Sequence, residues 1–155
     1  MEMYHFITNW FFQTPIEGVW EELIELKSWP AWGQYFKRVS IRGRGPAEYI
    51  GSVAECEVRG TLPYTLRFSI EVTTFQPFTI IAFTSSGDLV GEGKWILESK
   101  AGGTAVTFYW DVGTTNPILN LLAKFPFIRA MMEKNHDDVM ANIYQALKTK
   151  IEKLN

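Results

Sequence analysis

Short connections between runs of alternating residues constrain the fold of this chain more than any other feature of its sequence. Six runs with strand character follow one another, and turn-forming residues such as 43–46, 60–63 and 101–103 separate them. Parallel neighbours need a crossover of about a dozen residues or more, so connections this short join antiparallel strands. The pattern therefore predicts an antiparallel meander, with strands near residues 37–43, 50–59, 64–75, 79–85, 88–98 and 103–114.

The residues before the meander predict one more strand and two short helices. Aromatic residues alternate with others over 4–12, which is typical of a strand. Thr14 and Pro15 form a cap and first-turn pair, so a helix is predicted from there to about Lys27. The Ser-Trp-Pro sequence at 28–30 predicts the start of a second short helix.

The end of the chain has a helical pattern. Asn116 and Pro117 form a second capping pair, and a helical segment follows over 118–125. Pro126 interrupts it, because proline lacks the amide proton that the helix requires. A long helix is then predicted from Phe127 to about residue 154, with Ile128, Met132, His136, Val139, Ile143, Ala146 and Leu147 on one stripe.

This order of elements predicts an α+β fold made of a seven-stranded antiparallel sheet and one long carboxy-terminal helix. The sheet has one face to bury, and the long helix is the large element that can cover it. A twisted sheet around a single helix leaves space between them unless bulky side chains fill it. We expect a single domain over 1–155 with a pocket between helix and sheet.

Composition and charge narrow the function classes. Aromatic residues make up 15% of the chain, enough to wall a cavity with rings or to fill it. The net charge of −2 argues against a nucleic-acid partner, and no apolar run is long enough to span a membrane. Residues 1–13 do not read as a signal peptide, and a single cysteine, Cys56, excludes an internal disulfide. A cytoplasmic location is the resulting expectation.

Several short sequence segments, in a fixed order along the chain, resemble those of a known family. The pieces are TPIEGVW at 14–20, WPAW at 29–32, GTLPY at 60–64, GDLVGEGKW at 87–95, WDV at 110–112 and NHD at 135–137 with VM at 139–140. Together they resemble the START-like or SRPBCC superfamily, which has the helix-grip fold, and within it the branch described as polyketide cyclase/dehydrase-like. The resemblance implies an internal apolar cavity. It implies no single activity, because the superfamily includes lipid carriers, hormone receptors and aromatic cyclases.

His136 is the first candidate for a functional group. It lies on the apolar stripe of the long helix, so its imidazole faces the sheet, and Asn135 lies at the edge of the same stripe. An imidazole in the cavity could orient a ligand or act as acid or base near neutral pH. The alternative is a buried histidine whose nitrogens are hydrogen-bonded to the protein.

Asp111 is the second catalytic candidate, and its role depends on which face of the last strand it occupies. Trp110 and Asp111 are adjacent, so they point to opposite sides. The apolar residues Val106, Phe108 and Val112 alternate in phase with Trp110, which favours an outward, solvated Asp111. With the faces reversed, Asp111 would be a buried acid and a candidate general base.

The remaining predicted site residues are walls of the cavity. They are Met132, Val139, Trp110, Tyr64, Phe68 and Trp95. No metal site is predicted: Glu133 and His136 have the Glu-x-x-His spacing of di-iron bundles, but that chemistry needs a second such motif. No cofactor is predicted either.

Three functions remain open at the level of sequence. The first is binding of an apolar or aromatic small molecule in the cavity, with His136 setting its orientation. The second is a polyketide cyclase/dehydrase-type enzyme that folds its substrate and moves a proton through His136 or Asp111. The third is an interaction protein with a vestigial pocket, whose docking surface is the apolar segment 117–128. That segment could equally be a mobile lid over the mouth of the cavity or simply pack across the end of the barrel. A homodimer is left open.

Overall fold

Seven strands and three helices make up the described part of the chain, which in this computed structural model comprises residues 3–25, 36–42, 50–59 and 65–153. The helices are α1 (Ile16–Ile24), α2 (Pro117–Leu122) and α3 (Pro126–Lys153). The strands are β1 (Met3–Phe12), β2 (Phe36–Arg42), β3 (Val53–Val58), β4 (Leu66–Gln76), β5 (Ile80–Gly87), β6 (Leu89–Lys100) and β7 (Gly103–Thr114).

The strands form one antiparallel sheet in the order β1-β7-β6-β5-β4-β3-β2. From β2 to β7 each strand pairs with the next one along the chain, which confirms the meander. The first strand breaks this rule because it pairs with β7, with Phe6 opposite Trp110 in the register. The two strands earliest in the chain therefore lie at opposite edges of the sheet.

The inner face of the curved sheet is apolar and α3 covers it. Along β7 the buried residues alternate as the sequence indicates, with Trp110 7% exposed and Val106 1% exposed. The buried side chains that α3 contributes are Met140, Ile143, Leu147 and Ile151. The hydroxyl of Tyr144 on α3 also donates to the carbonyl of Phe11 on β1 at 2.7 Å.

The interior is densely filled at the end where α1 packs. Phe12, Val19, Leu23 and Leu147 are at most 2% exposed there. Complete burial of such side chains contributes roughly 1.5–3 kcal/mol each to folding. These side chains therefore contribute to the stability of the fold.

The structure corrects the predicted start of the first helix. The helix begins at Ile16, its N-cap position is Pro15, and no side chain caps it. Thr14 is instead buried at 3% exposure, and its carbonyl accepts a hydrogen bond from Thr104 Oγ1 at 2.8 Å. The neighbouring strand β7, which lies 90 residues further along the chain, therefore fixes this turn, and local sequence patterns cannot reveal such a contact.

The remaining helix predictions have mixed outcomes. Asn116 does cap α2, because its side-chain oxygen accepts from the amides of Ile118 and Leu119. The break falls between 122 and 126, and Pro126 is the first residue of α3. The second short helix, predicted to start at 28–30, lies outside the described residues. Within the described part of the chain, no helix is long and apolar enough to cross a membrane.

Candidate functional site

A cavity of about 180 Å³ lies between the inner face of the sheet and the N-terminal part of α3. Apolar and aromatic side chains form most of its wall. The lining residues that carry polar side-chain atoms include Tyr4, Thr114, Asn135 and His136. The other lining residues are Phe6, Val58, Leu66, Phe68, Ile70, Phe83, Leu89, Trp95, Phe108, Trp110, Val112, Leu119, Met132, Val139, Met140 and Ile143.

Stacked aromatic rings on three central strands form the floor of the cavity. Trp95 and Phe108 are stacked with their ring centroids 4.0 Å apart, and Phe83 and Trp110 meet at 5.3 Å. Gly93 lies directly against two of these rings. A Cβ atom there would come within 2.6 Å of the Phe83 ring and 2.8 Å of the Trp110 ring. Close packing of the two rings against the backbone thus explains this glycine.

His136 lies on α3 and stacks on Phe6 of β1. The two ring centroids are 3.6 Å apart and the planes are within 12° of parallel. Both imidazole nitrogens are buried, and neither has a hydrogen-bond partner among the residues that the structure describes. The hydrogen-bonded alternative weighed at the level of sequence is therefore not what the described residues show.

Burial controls the protonation of His136. Loss of solvent lowers the pKa of the imidazole from 6.5 to about 4, and the nearby Asp137 carboxylate only partly opposes this effect. The closest approach to that carboxylate, from His136 Nδ1 to Asp137 Oδ1, is 3.6 Å, which is too long for a hydrogen bond. At neutral pH the ring is therefore uncharged, with one nitrogen able to donate and one able to accept.

The structure places most of the predicted cavity residues together. Tyr64 lies outside the described residues. The predicted site residues that line the cavity are His136, Asn135, Met132, Val139, Trp110, Phe68 and Trp95.

Asp111 is the predicted catalytic residue that the structure places elsewhere. It lies on the outer face of β7, with its side chain half exposed, and its Oδ1 is 2.7 Å from Nδ1 of His5 on β1. The arrangement with Asp111 as a buried general base is corrected accordingly. The physical reason is the alternation of the strand, which turns Trp110 inward and its neighbour outward.

Sequence reasoning missed several residues of this site. Phe6 was assigned to the first strand, but its contact with His136 depends on how α3 crosses the sheet. Tyr4 donates from its hydroxyl to Met132 Sδ at 2.9 Å, which joins the same two elements. The alternation of aromatic residues along β1 places Tyr4 and Phe6 on the same face of the strand. It does not indicate which element that face contacts.

The described residues support neither a reactive thiol nor a metal site. Cys56 is buried on β3, and burial raises the pKa of its thiol to about 12, so it is a small apolar core residue and a poor nucleophile. Within the described ranges no group of three His, Cys, Asp or Glu side chains is placed to hold a metal ion.

A curved antiparallel sheet around one long carboxy-terminal helix, with an apolar cavity between them, defines a START-like protein with the helix-grip fold. The family model described as "Polyketide cyclase / dehydrase and lipid transport" matches residues 11–152, so the chain belongs to that family. No curated protein sequence matches it.

Solved structures show the same fold at low sequence identity. The Zhui aromatase/cyclase from Streptomyces sp. R1128 is 17% identical with a TM-score of 0.78, over 98% of this chain and 95% of that one. A START superfamily protein from Mycobacterium smegmatis is 16% identical with a TM-score of 0.73, over 99% of both chains. The di-domain ARO/CYC BexL is 15% identical with a TM-score of 0.75, over 97% of this chain and 50% of that one.

Proposed function

We propose that the protein binds a small, largely apolar aromatic molecule in the cavity between the sheet and α3. The observation that carries this proposal is the cavity itself, which has an aromatic floor and, in its wall, a buried imidazole without a hydrogen bond among the described residues. Apolar pockets with a few placed polar groups are typical of small-molecule sites. The family of this chain is associated with hydrophobic ligands, and its description includes lipid transport.

The volume of the cavity limits the size of the molecule that it can bind. A cavity of roughly 150 Å³ with apolar walls can take up benzene, so a volume of about 180 Å³ suits a guest of about one or two rings. Such a guest gains about 25 cal/mol for each Å² of apolar surface that it removes from water. Trp110 and Phe83 offer ring faces and edges for offset or edge-to-face contacts.

His136 supplies a means of orienting the guest. Its nitrogens are buried without hydrogen bonds among the described residues, which costs free energy in the empty protein. A guest hydroxyl that donates to the accepting nitrogen of the neutral imidazole removes part of this cost. A phenolic guest should therefore bind more tightly than a hydrocarbon of the same shape, and the difference in binding free energy should equal about one hydrogen bond.

The experiment compares 1-naphthol with naphthalene as probes. We expect both to raise the melting temperature of the protein, because each binds the folded state alone. We expect 1-naphthol to bind about fivefold more tightly, which corresponds to about 1 kcal/mol. In the His136→Phe variant the preference should vanish while naphthalene binding remains, since phenylalanine keeps the ring and removes the nitrogens.

Two outcomes separate the parts of this proposal. If neither probe nor any other aromatic compound of one or two rings raises the melting temperature, the cavity is not a binding site, and the interaction protein with a vestigial pocket is favoured. If both probes bind equally well to the native protein and the variant, the cavity binds ligands and His136 does not orient them.

A second candidate function is a cyclase-type enzyme, which one specific feature favours. The neutral imidazole of His136 faces a cavity where a flexible polyketone could be held folded. In such a step a CH2 carbon beside a carbonyl loses a proton and bonds to a ketone carbon, whose oxygen takes up that proton and becomes a hydroxyl. A second proton then leaves the same carbon and joins the hydroxyl, which departs as water. His136 would take each proton from the carbon and pass it to the oxygen. Its low pKa makes it a weak base, so positioning would supply most of the acceleration.

This candidate is tested with a linear poly-β-ketone thioester whose cyclised product absorbs in the near ultraviolet. Enzyme activity predicts a rate above the buffer rate that His136→Phe reduces without abolishing it and that Asp111→Asn leaves unchanged. A rate equal to that in buffer, in a protein that binds 1-naphthol, would favour a carrier.

A further inference from the structure

Exposed apolar side chains concentrate at the junction of α2 and α3. Eleven large apolar side chains are exposed in the described residues, and six of them fall within 118–131. Ile118 and Phe127 are each 68% exposed, more than any of the others. We refer to the six as the α2–α3 patch: Ile118, Leu121, Leu122, Phe125, Phe127 and Met131. Contiguous apolar surface of this kind marks an interaction site.

The helical spacing groups these side chains on outward faces. Ile118 and Leu122 are four residues apart, and so are Phe127 and Met131, so each pair lies on one side of its helix. A neighbouring side of α2 packs inward, because Leu119 lines the cavity. The interior of the fold therefore does not use the patch.

The charge around the patch selects an anionic partner. Residues 113–132 contain two basic residues, Lys124 and Arg129, and no acidic residue, in a chain whose net charge is −2. Arg129 pairs with Glu133, while Lys124 is exposed beside the apolar side chains. Apolar side chains next to a lysine are the combination that binds the interface of an anionic bilayer.

The hydrogen-bonding groups of this region favour a fluid apolar partner over a protein. Asn116 caps α2 through its side-chain oxygen, and the amide of Asn120 donates to the carbonyl of Thr114 at 2.8 Å. The Asn116 side-chain oxygen and the Asn120 side-chain NH2 group are thus hydrogen-bonded within the protein. A protein interface usually forms one hydrogen bond per 100–200 Å², whereas the six side chains that define the patch are all apolar.

We propose that the α2–α3 patch docks onto the surface of an anionic lipid bilayer, with its apolar side chains in the interface and Lys124 against lipid phosphates. Leu119 and Met132, on the same two helices, line the cavity, so docking would bring the cavity close to the bilayer. The proposal does not depend on which ligand the cavity binds.

The experiment measures co-sedimentation of the protein with phosphatidylcholine vesicles with and without about 30% phosphatidylserine. We expect the protein to bind the anionic vesicles more strongly, and binding to weaken as salt rises from about 0.05 to 0.5 M. Phe127→Ser should reduce binding about tenfold, as loss of one buried aromatic side chain predicts. Lys124→Glu should also reduce binding to the anionic vesicles.

Ile7→Ser is the matched control, because Ile7 is 65% exposed on the outer face of β1, away from the patch. It should leave vesicle binding unchanged, and all variants should keep their melting temperatures. Absence of binding to anionic vesicles overturns the proposal, as does equal loss in Ile7→Ser and Phe127→Ser. A dimer in analytical ultracentrifugation that Phe127→Ser dissociates, with no vesicle binding, assigns the patch to a second copy of the chain instead.

Discussion

The phenyl ring of Phe6 and the imidazole of His136 lie face to face, 3.6 Å apart between centroids, and they join the edge strand β1 to α3 at the wall of the cavity. The contact covers one face of the imidazole with hydrocarbon. A cation above a ring face gains some electrostatic attraction, but the loss of solvent outweighs it, since the pKa of His136 falls to about 4. Burial in this stack therefore keeps the imidazole neutral at pH 7.

Replacing His136 by phenylalanine should stabilise the empty protein. The variant keeps a ring against Phe6 and removes two buried nitrogens that have no hydrogen bond among the described residues. We expect the free energy of unfolding at pH 7 to rise by about 1 kcal/mol, measured by urea denaturation. A loss of stability of similar size would instead mean that the nitrogens are hydrogen-bonded in solution.

The same variant should change how stability depends on pH. The unfolded chain takes up a proton at His136 near pH 6.5, whereas the folded protein does so only near pH 4. As pH falls from 6.5 towards 4, the unfolded state binds a proton that the folded state does not, so stability decreases, by at most about 3 kcal/mol. His136→Phe lacks this decrease, so its advantage over the native protein should grow with acidity. Parallel stability curves between pH 4 and 7 would contradict the burial of a neutral imidazole.

Gly93→Ala should damage the floor of the cavity. The new methyl group would lie 2.6 Å from the Phe83 ring and 2.8 Å from the Trp110 ring, so both rings must move. Overpacking of this kind costs about 1–3 kcal/mol of stability, and the displaced rings would reduce the binding of naphthalene. Thermal denaturation and a naphthalene titration measure the two effects.

A second substitution checks the cause of that damage. Phe83→Leu in the Gly93→Ala background removes the ring that the methyl group meets, so it should restore part of the stability. If the two substitutions act additively, the contact between these positions is not the source of the loss.

Local patterns predicted the parts of this protein that depend on local geometry. The period of two along β7 placed Trp110 on the inner face, and the helical period placed His136 towards the sheet, because both periods are properties of the backbone alone. The antiparallel meander followed from short connections for the same reason. Each of these predictions needed only residues close together in sequence.

Long-range contacts account for what sequence reasoning did not find. The pairing of β1 with β7 brings Phe6 opposite Trp110, over a hundred residues away, and no local signal encodes it. The stack of Phe6 on His136 follows from that pairing and from the path of α3. The volume of the cavity is likewise a result of packing among six strands and two helices, so the sequence indicated a pocket without indicating its size.

Thr104→Val should show how the sheet fixes the start of α1. Thr104 is fully buried, and its hydroxyl donates to the Thr14 carbonyl at 2.8 Å. Valine has nearly the same shape and no hydroxyl, so we expect a loss of about 1–2 kcal/mol in the free energy of unfolding. Thr107→Val is the control: Thr107 also donates a hydrogen bond, to Asn9 Oδ1, but that bond is exposed, so its loss should cost less. Equal losses in the two variants would mean that the Thr14 contact has no special role.

Asp111→Asn distinguishes the two catalytic candidates drawn from the sequence. Asp111 contacts His5 on the outer face of the sheet, where both side chains are at least half exposed, and the Trp110 backbone separates it from the cavity. Exposed charge pairs contribute roughly 0–1 kcal/mol, so the variant should have nearly native stability. Titration with 1-naphthol should give an affinity within about twofold of the native protein, whereas His136→Phe should lose about fivefold. A loss of 1-naphthol affinity in Asp111→Asn at unchanged melting temperature would show that this carboxylate acts on the cavity through the sheet, and the assignment of orientation to His136 alone would be wrong.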